Sequence, residues 1–398
     1  MIEQTRLVIV ADDLTGAADS AARCYGAGLP ASVVLSTPHA LPLGSVACSS
    51  DSRHLRPEDA SQQIHTLLAQ LSPLSTANTI WYKKIDSTLR GNLGSELDAM
   101  LDGLDALCAI ICPSFPGQKR GLEHGRLVAP ISPAHGSDLP SLLASQSNKQ
   151  VGLVELEQVQ AGEQALATVL AERYAAGDRL IVVDALSEQD LDCLCAAQAL
   201  ALPKALLCGS AGLVGALARR LAPSFALPAQ SYQPLAGSAL VLVGSGSSMA
   251  HTQIEAAKAH CQSYALDQFS TAESTSDLSG DLLLHLAAPP AGLALDGPEA
   301  RAEAEKLADL ALRVFEAQQP ELLLLVGGDT SQAVLGRLGL MQLDVVREIQ
   351  PGMPLATARR ADGCSLQIIM KAGNHGEPSS LVDLLAAVRQ NNASALPH

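Results

Sequence analysis

Two stretches carry residue types that can hold and orient a small charged molecule. They are Val8-Ile9-Val10-Ala11-Asp12-Asp13-Leu14-Thr15-Gly16 and Lys83-Lys84-Ile85-Asp86-Ser87-Thr88-Leu89-Arg90-Gly91. In each, an apolar run stops at charged and hydroxyl groups. A strand covered on both faces has little reason to end in adjacent carboxylates unless they face a cleft, and in parallel sheets the carboxyl edge is where ligands bind. One aspartate of the Asp12-Asp13 pair is expected to cap a helix that begins at Thr15 or Gly16 and ends near Gly28. The other is then left to act on a ligand hydroxyl, as base or acceptor. Arg53 closes the third apolar run with the planar fork that suits a carboxylate. Lys83 and Lys84 alternate across a strand, so at most one of them reaches a site shared with Arg53 and Arg90. Asp86 can accept from a substrate hydroxyl or pair with Arg90.

Three glycine-bearing turns offer a different chemistry. Val243-Gly244-Ser245-Gly246-Ser247-Ser248, Val326-Gly327-Gly328-Asp329-Thr330-Ser331 and Lys371-Ala372-Gly373-Asn374-His375-Gly376 each join an apolar run to a helical pattern. The helices are expected at 250–259, from near Gln332, and at 379–388. Without a Cβ in the way, backbone N–H groups can approach phosphate oxygens, and the following helix dipole adds to the attraction. Gly244-Ser245-Gly246 with Asp267 downstream also suits a dinucleotide fold, although Met249 stands at the third glycine. No Gly-Lys-Ser/Thr phosphate loop occurs, which excludes a P-loop kinase.

Such sites require parallel strands to position them. Short apolar runs at 7–11, 31–35, 45–49, 80–84, 107–112, 180–183, 205–208, 240–243, 282–286, 322–326 and 366–371 alternate with amphipathic helical patterns. This predicts an α/β fold of two domains, each with a mainly parallel sheet flanked by helices. One such helix follows Asn92, with Leu93, Leu97, Met100, Leu101 and Leu104 on its apolar face. Pro223, Pro228 and Pro234 fall in a stretch without helical period, which reads as a linker. The expected domains are 1–225 and 237–398, joined by 226–236. Residues 113–138, rich in Gly, Pro, Arg and His, predict a long functional flap.

Composition narrows the partners. The 398 residues are 47% hydrophobic but only 3% aromatic, so Ala and Leu must fill the cores. A net charge of −15 argues against nucleic acid. Nine cysteines, several inside apolar runs, point to reduced thiols in the cytoplasm. Cys108 and Cys112 have no second ligand pair at zinc spacing. The first residues lack a basic region followed by an apolar one, and no apolar run reaches membrane-spanning length, so neither secretion nor a membrane partner is expected. An Ala- and Leu-rich surface can receive a second copy, so a homodimer is among the expected assemblies.

Taken in order, Ala-Asp-Asp-Leu-Thr-Gly-Ala, Lys-Lys-Ile-Asp-Ser-Thr-Leu-Arg-Gly, Cys208-Gly209-Ser210-Ala211-Gly212-Leu213, Gly327-Gly328-Asp329-Thr330-Ser331, Pro351-Gly352-Met353-Pro354 and Lys371-Ala372-Gly373-Asn374 resemble the four-carbon acid sugar kinases. That family includes D-threonate, D-erythronate and 3-oxo-tetronate kinases. The resemblance implies an N-terminal sugar-acid domain, a C-terminal ATP domain, and transfer of the γ-phosphoryl of ATP to the 4-hydroxyl of a four-carbon sugar acid. It implies substrate contacts from Asp12, Arg53, Lys84, Ile85, Asp86 and Ser87, with Arg90 alongside. It places ATP on Ser245, Gly327, Gly328, Asp329, Thr330, Gly373 and Asn374. Asp12 or Asp86 would orient or deprotonate the hydroxyl, and Asp329 is the candidate Mg²⁺ ligand. With acid and ATP on different domains, transfer calls for domain closure. The chain departs from the family pattern at Asp329, where glutamate is usual, at Ala372 and His375 in place of serine and phenylalanine, and across 114–126. An NAD-dependent hydroxy-acid dehydrogenase and a non-catalytic sugar-acid sensor stand as alternatives.

Overall fold

The computed structural model describes residues 6–36, 42, 44–129, 134–222, 234–269, 280–287, 297–360 and 363–390. The chain divides into two units, Met1–Leu227 and Pro228–His398. The expected linker, 226–236, lies mostly outside the described residues.

The first unit grows from runs of Val, Ile, Leu and Ala that are buried on both faces, as strands of a covered parallel sheet must be. Its elements begin with β1 (Arg6–Ala11), α1 (Leu14–Gly26), β2 (Ala31–Val34), β3 (Ser45–Ser49), α2 (Pro57–Leu71), β4 (Thr79–Lys84), α3 (Leu93–Leu104) and β5 (Ala109–Cys112). A short hairpin, β6 (Gly121–Glu123) and β7 (Arg126–Val128), follows, then α4 (Leu139–Gln146), β8 (Val151–Val154), α5 (Leu156–Gln160), α6 (Glu163–Ala175), β9 (Leu180–Val183), α7 (Glu188–Ala201), β10 (Leu206–Gly209) and α8 (Ala211–Leu221). The sheet order is β2-β3-β1-β4-β10-β5-β9-β8, and every adjacent pair is parallel. The chain winds from β1 to β2 and β3 on one side, then crosses to β4 on the other. That reversal opens a crevice at the carboxyl ends of β1 and β4. One core packs Val8, Val10, Val46 and Ile111 of the sheet against Leu93, Leu97 and Met100 of α3 and Ile64 of α2.

The second unit holds β11 (Ala239–Val243), α9 (Ser248–Ala257), β12 (Gln262–Ala265), β13 (Leu282–His285), α10 (Gly297–Gln318), β14 (Leu322–Val326), α11 (Gly328–Arg337), β15 (Gln342–Gln350), β16 (Met353–Arg359), β17 (Ser365–Lys371) and α12 (Ser380–Arg389). Its sheet runs β12-β13-β11-β14-β17-β16-β15. The pairs are parallel from β12 to β17, and β16 and β15 are antiparallel additions. Here the winding reverses between β11 and β14.

Several elements depart from the sequence expectation for local reasons. β15 and β16 escape an alternation test because register shifts interrupt the pairing at Val345/Arg347 and Glu348/Gln350. β8 carries Gly152 in its middle, which weakens a strand signal. β12 is short and largely polar. Residues 113–138 are not wholly irregular, since they contain the β6–β7 hairpin. The helix expected from near Gln332 begins earlier, at Gly328, so Asp329 and Thr330 lie in its first turn.

Candidate functional site

Three strand ends of the first unit converge on one cluster of charge. Asp13 is the N-cap of α1; its Oδ1 accepts from Gly16 N at 2.8 Å and its Oδ2 from Thr15 Oγ1 at 2.7 Å. The chain after β3 is tied to the end of β1, with Ser52 N and Arg53 N donating to Asp12 O at 3.0 and 3.3 Å. This brings the Arg53 guanidinium onto both aspartates. Nε donates to Asp12 Oδ2 at 2.7 Å, Nη2 to Asp12 Oδ1 at 2.9 Å, and Nη1 to Asp13 Oδ2 at 2.7 Å. Expected beside a substrate carboxylate, the Arg53 fork closes in this structure on carboxylates of the protein, the pairing that a side chain only 10% exposed needs. Burial acts to raise the Asp13 carboxyl, but Arg53, Lys84 and the cap hydrogen bonds carry it below its ordinary value.

After β4 the chain makes a tight turn, with Leu89 at φ 64° and Gly91 at φ 97°. Ile85 is buried, its N–H held by Gly209 O at 2.9 Å. Asp86 accepts from Thr88 Oγ1 and from Arg90 Nε, both at 2.5 Å. Burial raises this carboxyl too, yet the Arg53 and Arg90 guanidiniums outweigh it and hold Asp86 well below the usual carboxylate range. An anion so stabilised orients a hydroxyl better than it removes a proton.

The two lysines part as strand alternation demands. Lys83 turns to α3, where its ammonium lies 2.6 Å from Glu96 Oε2 with both side chains at most 1% exposed. Glu96 Oε1 also accepts from Ser52 Oγ at 2.8 Å, and Ser52 Oγ in turn accepts from Ser50 Oγ at 2.6 Å. This buried chain locks the β3 end to α3 and β4. Burial lowers Lys83, but Glu96 more than compensates and holds it above its ordinary value. Lys84 faces α1 instead, near Asp13 and Asp19, and donates to Ile85 O at 3.0 Å. A carboxylate amid Leu93, Leu97 and Met100 on an apolar helix face signals that Glu96 is buried, but not what it pairs with. Asp19, 8% exposed, has no hydrogen bond to Oδ1, and burial raises its carboxyl.

In the second unit the three glycine turns lie at the carboxyl ends of β11, β14 and β17. Gly244 N donates to Val326 O at 3.1 Å and Gly327 N to Lys371 O at 3.0 Å. Ser247, the N-cap of α9, donates from Oγ to Gly373 O at 2.8 Å. The turns are therefore one stitched surface. A Cβ on Gly244 would stand 1.7 Å from Thr330 Oγ1, and one on Gly373 1.8 Å from Ser245 Oγ. Only glycine permits these approaches. Thr330 Oγ1 is buried without a hydrogen bond, and the Asp329 carboxylate stands half-buried in the same helix turn. Below them Lys371 is fully buried, donating to Ala372 O and His375 O, both at 2.9 Å. Burial pulls its amine down to about 7. Because the acceptors are backbone carbonyls, Ala372 and His375 leave this clamp intact. Asn374 lies in the turn that the clamp closes.

The dinucleotide reading fails on strand order. β13, not β12, pairs with β11, so Asp267 after β12 lies one strand too far from Gly244 to meet a ribose held there. Burial pushes the Cys108 and Cys112 thiols up to about 11, and among the described residues no three His, Cys, Asp or Glu side chains group as a metal cage.

Residues 7–217 match the family described as sugar-binding N-terminal domain, and residues 240–381 the nucleotide-binding C-terminal domain. The chain is 32% identical to a D-threonate kinase of Bordetella bronchiseptica over 96% of its own length and 97% of that protein. It is 28% identical to a 3-oxo-tetronate kinase of Brucella melitensis, covering 94% of each. A solved structure from Salmonella typhimurium, given the provisional name of a tRNA synthase, superposes with a TM-score of 0.76 at 25% identity, over 95% of this chain and 98% of that one.

Proposed function

We propose a function from one premise: this chain belongs to the four-carbon acid sugar kinases, the family that joins a sugar-binding N-terminal domain to a nucleotide-binding C-terminal domain. It is a phosphotransferase that uses ATP to phosphorylate a four-carbon sugar acid. The finer reading is transfer to the 4-hydroxyl of D-threonate, D-erythronate or an oxo-tetronate. The observation that carries it is the stitched surface of three glycine turns around an orphaned threonine hydroxyl, which fits a polyphosphate, while the strand order puts Asp267 too far from it to hold the ribose of a dinucleotide.

Phosphoryl transfer needs positioning and charge neutralisation more than covalent chemistry. In this reading the sugar acid lies at the β1 and β4 ends. Asp12, fixed by Arg53, accepts from a substrate hydroxyl, and Asp86 holds the turn carrying Ser87 while orienting the hydroxyl that attacks. Lys84 and Arg90 supply positive charge beside Ile85–Ser87. Ser245, Gly327, Gly328, Gly373 and Asn374 present the nucleotide's phosphates with backbone and hydroxyl donors, and Thr330 Oγ1 gains the partner it lacks. Mg²⁺ held by Asp329 and the phosphates would neutralise charge on the transferring group, which suits a cation that takes few protein ligands. Thiols joined in no disulfide among the described residues, most of them buried, suit a reducing cytoplasm, and no described helix is long and apolar enough to cross a membrane.

Calorimetric titration tests the reading. ATP with Mg²⁺ should bind and raise the melting temperature while NAD leaves both unchanged. Binding of NAD in preference to ATP would overturn it. Asp12→Asn should lower kcat/KM for the acid while sparing the ATP affinity.

A further inference from the structure

The cations of the first unit differ in what they already hold. Arg53 is closed on Asp12 and Asp13, Lys83 on Glu96 and Arg90 on Asp86. Arg120 is not so committed. Its Nη1 donates to Ser87 Oγ at 2.6 Å, and among the described residues no carboxylate lies within ion-pair distance of it. It is half-buried beside Asp86, Arg90 and Asp19, and burial with the repulsion of Arg90 lowers its guanidinium from the ordinary value.

The backbone that carries Arg120 is rigidly set. Phe115 and Arg120 pair across a one-turn 3-10 segment, Pro116–Gln118, with Phe115 N donating to Arg120 O at 2.8 Å and Arg120 N returning to Phe115 O at 3.2 Å. Two residues on, Leu122 exchanges hydrogen bonds of 2.9 and 3.0 Å with Ala185. The hairpin turn beyond is pinned by Asp184, which accepts from His124 N at 2.6 Å and Gly125 N at 2.9 Å. A cation held this way loses little freedom on meeting an anion.

We propose that Arg120 receives the carboxylate of the sugar acid and makes the site selective for acids over neutral analogues, with Lys84 as the second cation. This deepens the kinase reading and rests on it for the identity of the acid. Ser87 holds one arm of the guanidinium, which leaves its remaining N–H groups for a carboxylate, and Asp19, near both Arg120 and Lys84, has its carboxyl raised by burial, which lessens its competition with the substrate's charge.

The test measures binding of a four-carbon sugar acid and of its neutral amide by calorimetry, to the whole protein and to R120M and R120K, with ADP formation followed separately. R120M should weaken acid binding by about 10- to 100-fold, the range of a lost charge-assisted contact. The amide and ATP should bind as before, and R120K should recover part of the acid affinity. Ser87→Ala, which frees the arm but keeps the charge, should cost only several-fold. Unchanged acid affinity in folded R120M would overturn the proposal, as would parallel loss of acid and amide, the mark of a purely structural arginine. If the unsubstituted protein binds acid through Arg120 but makes no ADP, the carboxylate assignment stands and the kinase reading falls.

Discussion

Replacing Glu96 with glutamine should be the most damaging isosteric change in the first unit. The carboxylate accepts from Lys83 at 2.6 Å and from Ser52 at 2.8 Å, and neither end of the ion pair is more than 1% exposed. An amide has one acceptor oxygen, so one of these donors would face an N–H instead. Lys83 would keep only the Lys84 carbonyl at 3.1 Å. Breaking a buried ion pair from one side costs about 3–5 kcal/mol. At about 3 kcal/mol and a urea slope of about 2 kcal/mol/M, the midpoint should fall by roughly 1.5 M. Trp81 is the only tryptophan and sits on β4 two residues from Lys83, so its fluorescence reports the unfolding of this unit alone. The paired change K83M/E96L should recover most of the loss, because apolar replacement of a whole buried pair is often neutral. A midpoint shift in E96Q no larger than that of a surface pair would refute the reasoning. So would a double variant as unstable as the single one.

Lys371 predicts a pH dependence in the second unit. Its folded value of about 7 lies below the ordinary 10.5, so above pH 7 the folded protein sheds a proton that the unfolded chain keeps. Stability should therefore rise between about pH 7 and 10.5, by up to about 1.4 kcal/mol per pH unit. Lys371→Met should flatten that rise in scanning calorimetry and raise the KM for ATP. Gly373→Ala places a Cβ 1.8 Å from Ser245 Oγ and 2.4 Å from Ser245 Cβ, so it should cut ATP affinity by about tenfold or more. Adding Ser245→Gly should restore part of it, and sugar-acid binding should not change. Asp13→Ala removes both the α1 cap and one partner of Arg53. It should cost about 1–2 kcal/mol in the Trp81 transition.

What could be read from the sequence was local. The apolar runs located the strands that carry the sites, and alternation along β4 separated Lys83 from Lys84 before any partner was known. One aspartate of the first pair was expected to cap α1, and Asp13 does. The destination of Arg53 was hidden, because a guanidinium reads the same whether its carboxylates are 40 and 41 residues away in the chain or on a ligand. Glu96 was hidden because its two partners come from two other strand ends. The β15–β16 hairpin was masked by bulges, and the β6–β7 hairpin by strands too short to show a period. Arg120 falls in that same unpatterned stretch, where its lack of a carboxylate becomes visible only once the surrounding cations are paired off.

If this chain moves a phosphoryl group from ATP to the 4-hydroxyl of a four-carbon sugar acid, acid-dependent ADP formation with Mg²⁺ across D-threonate, D-erythronate and the oxo-tetronates will show it, with phosphorus–proton NMR locating the new ester. ADP released in step with one of these acids, and phosphorus coupled to the protons on carbon 4, is the predicted result. ATP turnover that ignores every acid, or an ester on any other carbon, would contradict it.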